Sequence, residues 1–475
     1  MNERIVKTKI LATIGPASDS EENLLSLIDA GADAFRLNFS HGTYDYYESL
    51  FQKINSVCEK KSLPIPIIQD LQGPKIRIGN LVSESIKISR GETIKITVEK
   101  IIGTHEIIST SYPYLVEDAA NGDTILIDDG LIHLEIIGKE DNAVVCKVIE
   151  GGQLKPHKGM NLPGMKLSTP ALTEKDKEDL EFGLKHRVDF IALSFVRHAE
   201  DILHLRNWLN ERGLDKPIIA KIEKPEGVDN FESILEAADG IMVARGDLGV
   251  ELPTQLVPII QKNIIKRCNA VGKLVITATQ MLESMIQHSV PTRAEASDVA
   301  NAVLDGTDVV MLSGETSVGK YPVEAVKMMN DILLTTESQS QFAPVIKYDM
   351  PSSIADNLFD ATGKGFTDIA DQINTAAVVV FTHFGRKAKV MSKFRPRAPI
   401  FAVSNKFETL NVLNLYRGIV PLYLEKFEDE DASILEITNY LKKKGYVNKG
   451  DVILFTSGAP ITDKDRRNWI RFSIV

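Results

Sequence analysis

The chain has 475 residues, with 55 Lys+Arg against 65 Asp+Glu, a formal net charge of −10. Apolar residues make up 43% and charged residues 25%, which excludes a disordered or collagen-like chain, and the acidic balance argues against generic nucleic-acid binding. At roughly 100–200 residues per domain, this length predicts about two to four domains. Cys58, Cys146 and Cys268 are far apart and form no CxxC. A disulfide framework or thiolate zinc site is therefore not expected, and the usage fits a reducing, cytoplasmic setting. The charged N-terminus leads into no long apolar run, and no stretch approaches about 18 uncharged apolar residues. Neither a signal peptide nor a membrane partner is expected.

In chain order, residues 7–15 (KTKILATIG) read as a strand, 20–31 as a helix, 33–40 (DAFRLNFS) as a strand, 44–60 as a helix and 65–71 (IPIIQDL) as a third strand. The alternation then stops. Residues 75–163 hold short alternating runs (IKI, TIKITV, TILIDDG, LIHLEII, AVVCKVI) separated by turn residues, the pattern of a small all-β module inserted into something else. Thr173 is an N-cap with acidic residues in the next turn. From there helices and strands alternate again: helix 173–186, strand 189–195, helix 199–212, strand 217–222, helix 229–238, strand 240–245, helix 254–271, strand 273–279, helix 292–305, strand 308–313 and helix 320–336.

With the three strands before the insertion, these make eight strand–helix units. Their strands are mostly continuous apolar runs, as in a sheet covered on both faces. Eight such units over about 250 residues is the arithmetic of a TIM (β/α)8 barrel, with an open doubly wound sheet as the alternative. Residues 340–353 lack periodicity and read as a linker. The remainder alternates once more, through AAVVVFT, IFAVS, IVPLYL, DVILFTSG and RFSIV. The predicted fold is α/β: a TIM barrel (1–74 and 164–340), an inserted small β-barrel lid (75–163) and a C-terminal α/β domain (354–475). No internal repeat stands out.

A TIM barrel carries its active site at the C-terminal ends of its strands. The polar residues there are Arg36, Asn38 and Ser40 on strand two, Asp70 on strand three, and Lys221 and Glu223 on strand five. Strand six ends in Arg245, Gly246 and Asp247, strand seven in Thr277 and Thr279, and strand eight in Ser313 followed by Glu315. Side chains two apart share a strand face, so Arg36/Asn38/Ser40 and Lys221/Glu223 point together. Each has a plain reading as an ion pair or a turn cap. Their convergence on one rim favours a site, because core positions seldom hold charges. Glu223 and Asp247 suit a hard divalent cation such as Mg²⁺, and Arg36, Arg77 and Lys221 supply positive charge for phosphate. That set suits phosphoryl transfer or enolate stabilisation, with the inserted module as a closing lid.

The strings TKILATIGPAS, FRLNFSHG, GPKIR, FIALSFVR, AKIEKPEGVDN, IMVARGDLGVE, ATQMLESM, PTRAEASDVANAVLDGTDVVMLSGET and KYPVEAV, in this order, closely resemble pyruvate kinase. The resemblance runs from about residue 7 to 330 and thins in the lid and the last domain. It implies transfer of phosphate from phosphoenolpyruvate to ADP, giving pyruvate and ATP in the last step of glycolysis, by a cytoplasmic homotetramer. It implies Mg²⁺ on Glu223 and Asp247, with Mn²⁺ able to substitute. It further implies Lys221 as the charge-stabilising lysine, Arg36 on substrate phosphate, and Gly246, Asp247 and Thr279 on the substrate carboxylate. Arg77 and Lys158 match nucleotide contacts, and Ser313 and Glu315 match part of a proton-delivery network. The competing readings are a barrel enzyme acting on a carbon–carbon bond next to pyruvate, and a non-catalytic sensor.

Two departures from the family pattern carry expectations. Asn38, Ser40 and Asp70 match ligands of a monovalent cation. Where many members read Asp-Thr-Lys-Gly-Pro-Glu, however, this chain reads Asp70-Leu71-Gln72-Gly73-Pro74-Lys75. A lysine ammonium can stand in for K⁺, so K⁺ is not expected to be required and the cation site is weak or vestigial. The stretch Thr382–Lys387 corresponds to a hydroxyl-rich phosphate turn, but Phe384 and Lys387 stand where small hydroxyl residues are expected. Weak or absent activation by fructose 1,6-bisphosphate follows.

Overall fold

The computed structural model describes residues 5–339, 346–351, 353–426, 430–457 and 469–475. Of the predicted linker, 346–351 runs without regular structure, while 340–345 and 352 lie outside the described residues, as do Gly458 and residues 1–4.

Eight parallel strands, Lys9–Thr13, Ala34–Asn38, Ile67–Asp70, Phe190–Leu193, Ile218–Ile222, Gly240–Ala244, Leu274–Ala278 and Val309–Leu312, form a closed barrel. The first pairs with the eighth from Lys9↔Val309 to Ala12↔Leu312, which excludes the open doubly wound sheet. Leu11, Ala34, Ile68, Ala192, Ile219, Met242, Ile276 and Met311 pack in the interior. Strand alternation makes the next same-facing position toward the C-terminal end Thr13, Arg36, Asp70, Ser194, Lys221, Ala244, Ala278 and Ser313. One ring of the barrel is thus its floor of apolar packing, and the next holds most of the polar candidates.

The opposite end is built by a fourfold device that no sequence repeat announces. Asp33, Asp189, Asp239 and Asp308 stand just before strands two, four, six and eight. Each carboxylate accepts a backbone N–H from the preceding strand: Ile10 at 2.8 Å, Ile67 at 2.9 Å, Ile218 at 2.8 Å and Val275 at 3.0 Å. Burial pushes the carboxyls of Asp33, Asp189 and Asp308 up, opposed by Lys9, Arg187 and Arg395 respectively.

Between Ile86 and Asn161 lies a six-stranded sheet with a two-stranded ribbon (Gly152–Leu154 with Ile86–Ile88) around its own apolar core. The C-terminal domain is a five-stranded sheet in the order Ile419–Tyr423, Ile400–Ser404, Ala377–Phe381, Val452–Ser457 and Trp469–Ile474, the last strand antiparallel. It docks on the aspartate end of the barrel. Asn414 donates to Asp33 O and Pro64 O, both at 2.9 Å, and Asn411 donates to Asp189 Oδ1 at 3.1 Å. Arg395 donates to Asp308 Oδ1, Asn269 Oδ1 and Gly306 O at 2.6–2.8 Å. Leu415 packs with the barrel interior.

Several sequence expectations need correction. Thr173 does cap its helix, in a capping box with Asp176. The helix expected near 229–238 is two pieces, Pro225–Asp229 and Phe231–Ala237, separated at Asn230. Arg245–Glu251 is a short helix, so Gly246 and Asp247 sit in its first turn rather than on the strand. A further helix, Ile354–Gln372, was not anticipated.

The Arg395–Asp308 pair is almost wholly enclosed, with side chains 11% and 13% exposed. Removing one partner of such a pair leaves a buried charge uncompensated and costs about 3–5 kcal/mol. Arg395→Met is therefore expected to weaken the C-terminal domain by that order. In a Trp208→Phe background, Trp469 fluorescence during urea unfolding should show the midpoint fall; an unchanged midpoint contradicts the expectation.

Candidate active site

Lys221 is the centre of the rim. Its ammonium lies 3.1 Å from Asp70 Oδ1 and 3.0 Å from Glu223 Oε1, and donates to Ser194 Oγ at 2.7 Å. Ser194 in turn donates to Leu71 O at 2.7 Å, which fixes its lone pairs toward the lysine. Asp70 is shared: its other oxygen accepts from Arg36 Nε at 2.6 Å, and Arg36 also donates to Thr13 Oγ1 at 3.1 Å. Glu223 is held from behind by the Phe195 N–H at 2.9 Å. Asp70 and Glu223 are each 1% exposed, and Lys221 11%.

Charge balance sets the protonation states. Burial alone would push Asp70 up, but Lys221 and Arg36 together hold it below the ordinary carboxylate range. Burial would lower Lys221, yet Asp70 and Glu223 outweigh it and keep the ammonium firmly charged. Burial pushes Glu223 up; Lys221 opposes the shift and the neighbouring Asp247 adds to it. A buried carboxylate with a second one beside it invites a cation between them. Among the described residues no group of three or more His, Cys, Asp or Glu side chains is placed to hold a metal. The donors available beside Lys221 are the two carboxylates of Glu223 and Asp247, which leave water and substrate oxygens to complete a shell. That composition fits Mg²⁺ and not a structural zinc ion.

Beside this cluster the short helix begins. The Gly246 N–H donates to Thr279 Oγ1 at 2.8 Å, while Arg245, paired with Asp298 at 2.7 Å, donates to Thr279 O at 2.7 Å. Thr279 and Gln280 take left-handed backbone angles (φ 65° and 54°), as does Phe195 (φ 56°), all just beyond strand ends. Such strain gathers at functional sites, where the surroundings over-determine it.

The remaining candidates divide. Asn38 ends its strand and accepts the Ser40 N–H at 3.2 Å, so Ser40 lies in a turn and does not share the strand face as expected. Thr277 faces outward and is hydrogen-bonded with Thr307 at 3.0 Å. Glu315 is fully buried and accepts the backbone N–H groups of Ser313 and Leu282 at 2.7 and 3.0 Å, which makes it a scaffold for the loop; Ser313 Oγ is buried without a hydrogen-bond partner among the described residues. At the base of the lid, Arg77 donates to His157 O at 3.1 Å, and Lys158 pairs with Asp128 at 2.7 Å. Burial pushes the His41 imidazole down, and the charges of Lys75, Arg77 and Arg36 act in the same direction; Lys75 is exposed. In the C-terminal domain Lys387 is buried and donates to Thr456 Oγ1 and Ser457 O at 2.8 and 2.7 Å, and Arg386 pairs with Asp356. Lys387 is thus committed to the sheet, while Arg386 stays exposed.

Sequence reasoning missed Thr13, Ser194 and His41. The first two were within reach: they occupy the same ring as Arg36 and Lys221, on strands one and four. They are uncharged, so a search for convergent charge passed over them.

A family model described as pyruvate kinase, barrel domain, matches residues 5–326, and one described as pyruvate kinase, alpha/beta domain, matches 360–472. The chain is 42% identical to a pyruvate kinase of Sporosarcina psychrophila and 43% identical to one of Geobacillus stearothermophilus. Each match runs over 472 residues, 99% of this chain and 80% of the relative. Among solved structures, a pyruvate kinase of Cryptosporidium parvum superposes with a TM-score of 0.90 at 36% identity, covering 98% of this chain and 96% of that one.

Asp70 compensates two buried cations at once. Asp70→Asn is expected to cost about 3 kcal/mol of barrel stability, whereas Asp247→Asn, on the half-exposed rim, should stay within about 0.5 kcal/mol. Urea unfolding followed by Trp208 fluorescence compares them; coincident midpoints would contradict the assignment of Asp70 as the shared counter-charge.

Proposed function

The chain belongs to the pyruvate kinase family, phosphotransferases that pass the phosphoryl group of phosphoenolpyruvate to ADP in the last step of glycolysis, and on that premise we propose that the cluster around Lys221 carries the transfer. In this reaction an oxygen of the ADP terminal phosphate attacks phosphorus, the bond from phosphorus to the enol oxygen breaks, and the enolate takes up a proton to become pyruvate. The observation that supports the assignment is the triply held ammonium of Lys221, at hydrogen-bond distance from Asp70, Glu223 and Ser194. A preorganised charge of this kind lowers the energy of the negative charge that develops between the transferring group and the enolate.

The other roles follow from position. Arg36 orients the substrate phosphate. The first turn of the helix Arg245–Glu251, with backbone N–H groups at Gly246 and Asp247, and the Thr279 hydroxyl receive the carboxylate. Glu223 and Asp247 would hold Mg²⁺, which would supply charge neutralisation for the transferring phosphoryl group. Arg77 and Lys158, on the inserted domain at 75–163, contact the nucleotide phosphates when that domain closes. Ser313, steadied by Glu315, belongs to the path that protonates the enolate.

The assembly is inferred to be a homotetramer. Ile354, Leu358, Ile369 and Ile373 leave one side of the helix Ile354–Gln372 apolar and exposed, as are Phe472 and Ile474 on the last strand, a composition suited to self-association. Among the described residues no helix is long and apolar enough to cross a membrane. The three cysteines are buried and unpaired, as suits the reducing cytoplasm.

Lys75 is read as the substitute for a monovalent cation. It follows Gly73 in a tight turn, its N–H donating to Gly73 O at 2.8 Å, and it is the foremost of the cations acting on His41. A tethered ammonium removes the need to bind an ion from solution, and Asn38, Ser40 and Asp70 remain as a weak cation site.

Two experiments check the assignment. Lys221→Met should lower kcat for ATP formation by about 10²–10³-fold, read per folded enzyme because the residue is buried; near-normal turnover refutes the role. Wild-type enzyme should retain nearly full activity with Mg²⁺ in tetramethylammonium buffer free of K⁺ and Na⁺, and Lys75→Glu should become K⁺-dependent. Wild-type activity that collapses there and returns with K⁺ would show that Lys75 does not replace the ion.

A further inference from the structure

The inserted domain leaves the barrel after the third strand and returns just before the helix Glu174–Gly183. One buried carboxylate touches both passages. Asp176 Oδ1 accepts the Gly73 N–H at 3.0 Å, and Oδ2 accepts the Thr173 N–H at 2.9 Å and the Thr173 hydroxyl at 2.6 Å. Asp176 is 0% exposed. Capping of the helix accounts for the Thr173 bonds. It does not account for the Gly73 bond, which joins segments 103 residues apart.

Gly73 has a second constraint. Its φ is +66°, and a Cβ there would lie 2.9 Å from Phe195 Cδ2 and 3.1 Å from Ser194 Cβ. The exit passage is therefore pressed against the two residues that hold the transfer pair: Ser194 takes the hydrogen bond of Lys221, and the Phe195 N–H holds Glu223. Packed contacts of this closeness transmit displacement, because interiors have no slack to absorb it.

We propose that Asp176 is a positioning residue that ties the exit and return of the inserted domain together and seats Gly73 against Ser194 and Phe195, so that the closing domain is in register with Lys221 and Glu223. This rests on the reading of Lys221 and Glu223 as transfer residues and of residues 75–163 as the nucleotide-bearing lid. Asparagine at 176 keeps the shape but supplies a single acceptor oxygen, so one of the two passages loses its bond. The nucleotide contacts, carried by the lid, then lose their register, while the phosphoenolpyruvate contacts, carried by the rim, are largely kept.

The test compares Asp176→Asn, Thr173→Ala, Gly73→Ala and Lys221→Met with wild type, reading kcat, KM for ADP, KM for phosphoenolpyruvate and Tm. Asp176→Asn should raise KM for ADP by about tenfold, the lower end of the worth of one lost hydrogen bond to a charged group, with KM for phosphoenolpyruvate changed by less than about twofold. Thr173→Ala removes the helix cap and the hydroxyl bond to Asp176 Oδ2 but keeps the Thr173 N–H and Gly73 N–H bonds that tie the two passages, and should lower Tm with KM for ADP unchanged. Gly73→Ala should lower kcat by about tenfold or more through displacement of Ser194 and Phe195. If Asp176→Asn does not fold, Asp176→Glu, which keeps the charge but shifts it by one methylene, is read in the same way. A purely structural Asp176 would lower Tm and leave both KM values unchanged, which overturns the proposal, as does a Thr173→Ala variant with the same rise in KM for ADP. Lys221→Met separates the two readings. If it keeps near-normal kcat, the transfer assignment itself has failed; if it is crippled while Asp176→Asn leaves KM for ADP unchanged, only the positioning role has failed.

Discussion

A full positive charge stands at Lys221 with only 11% of its side chain exposed, and the rest of the rim is arranged around that fact. Taking an ion out of water costs several kcal/mol even after relaxation. One opposite charge at about 4 Å returns roughly 4 kcal/mol at an intermediate dielectric. A single carboxylate therefore barely compensates, and two are present. The second cation, Arg36, then balances the count, and Asp70 serves both. Replacing any member changes the protonation or solvation of the others, so this is one electrostatic unit built from three strands.

That unit can exist because the two ends of the barrel do different work. At the N-terminal end, four aspartates close the strands onto one another through backbone N–H groups, and the C-terminal domain binds at three of them through Asn414, Asn411 and Arg395. Those bonds fix where each strand begins. With a strand only four or five residues long, fixing its start also fixes where its last inward side chain stands. The strained residues Phe195, Thr279 and Gln280 are all at the other end. Stability concentrated at one face is what lets the opposite face hold left-handed backbone and buried charge.

How much of this was legible in the sequence depends on what kind of information each feature uses. Strand count, order and the insertion were legible because continuous apolar runs and alternating runs are local patterns. Lys221 and Glu223 were legible as a pair because side-chain period two is local as well. The helix Ile354–Gln372 was not legible because its pattern is inverted. Its buried side carries Asp360, Gly363, Thr367 and Ala370, while Ile354 and Leu358 are exposed. Asp360 is inside because Lys393 meets it at 2.6 Å, and Gly363 because a Cβ would lie 2.5 Å from Val390. Both reasons belong to the partner helix Arg386–Lys393, which local reading does not see. The short helix at Arg245 was hidden in the same way: its start is set by Thr279, more than thirty residues on, accepting the Gly246 N–H. The fourfold aspartates escaped because insertions of unequal length separate them.

The connection between lid and rim shows the same principle at a larger scale. The lid touches the barrel's catalytic side at more than its two passages. Asn161, in its last strand, donates to Glu251 Oε1 at 2.9 Å, and Glu251 also pairs with Lys224, the residue after Glu223. Glu251 ends the helix whose first turn holds Asp247. The return side of the lid is thereby joined to the segments bearing Glu223 and Asp247, as the exit side is joined through Gly73 to the residues holding Lys221. Both routes are short and run through a buried carboxylate that takes donors from separate segments, Asp176 with both oxygens and Glu251 with Oε1 alone. A buried carboxylate with several donors is costly to leave partly satisfied, so each such residue favours one arrangement of the segments it joins. If the inserted domain closes over the rim as proposed, such fixed points at its roots are what set where it comes to rest.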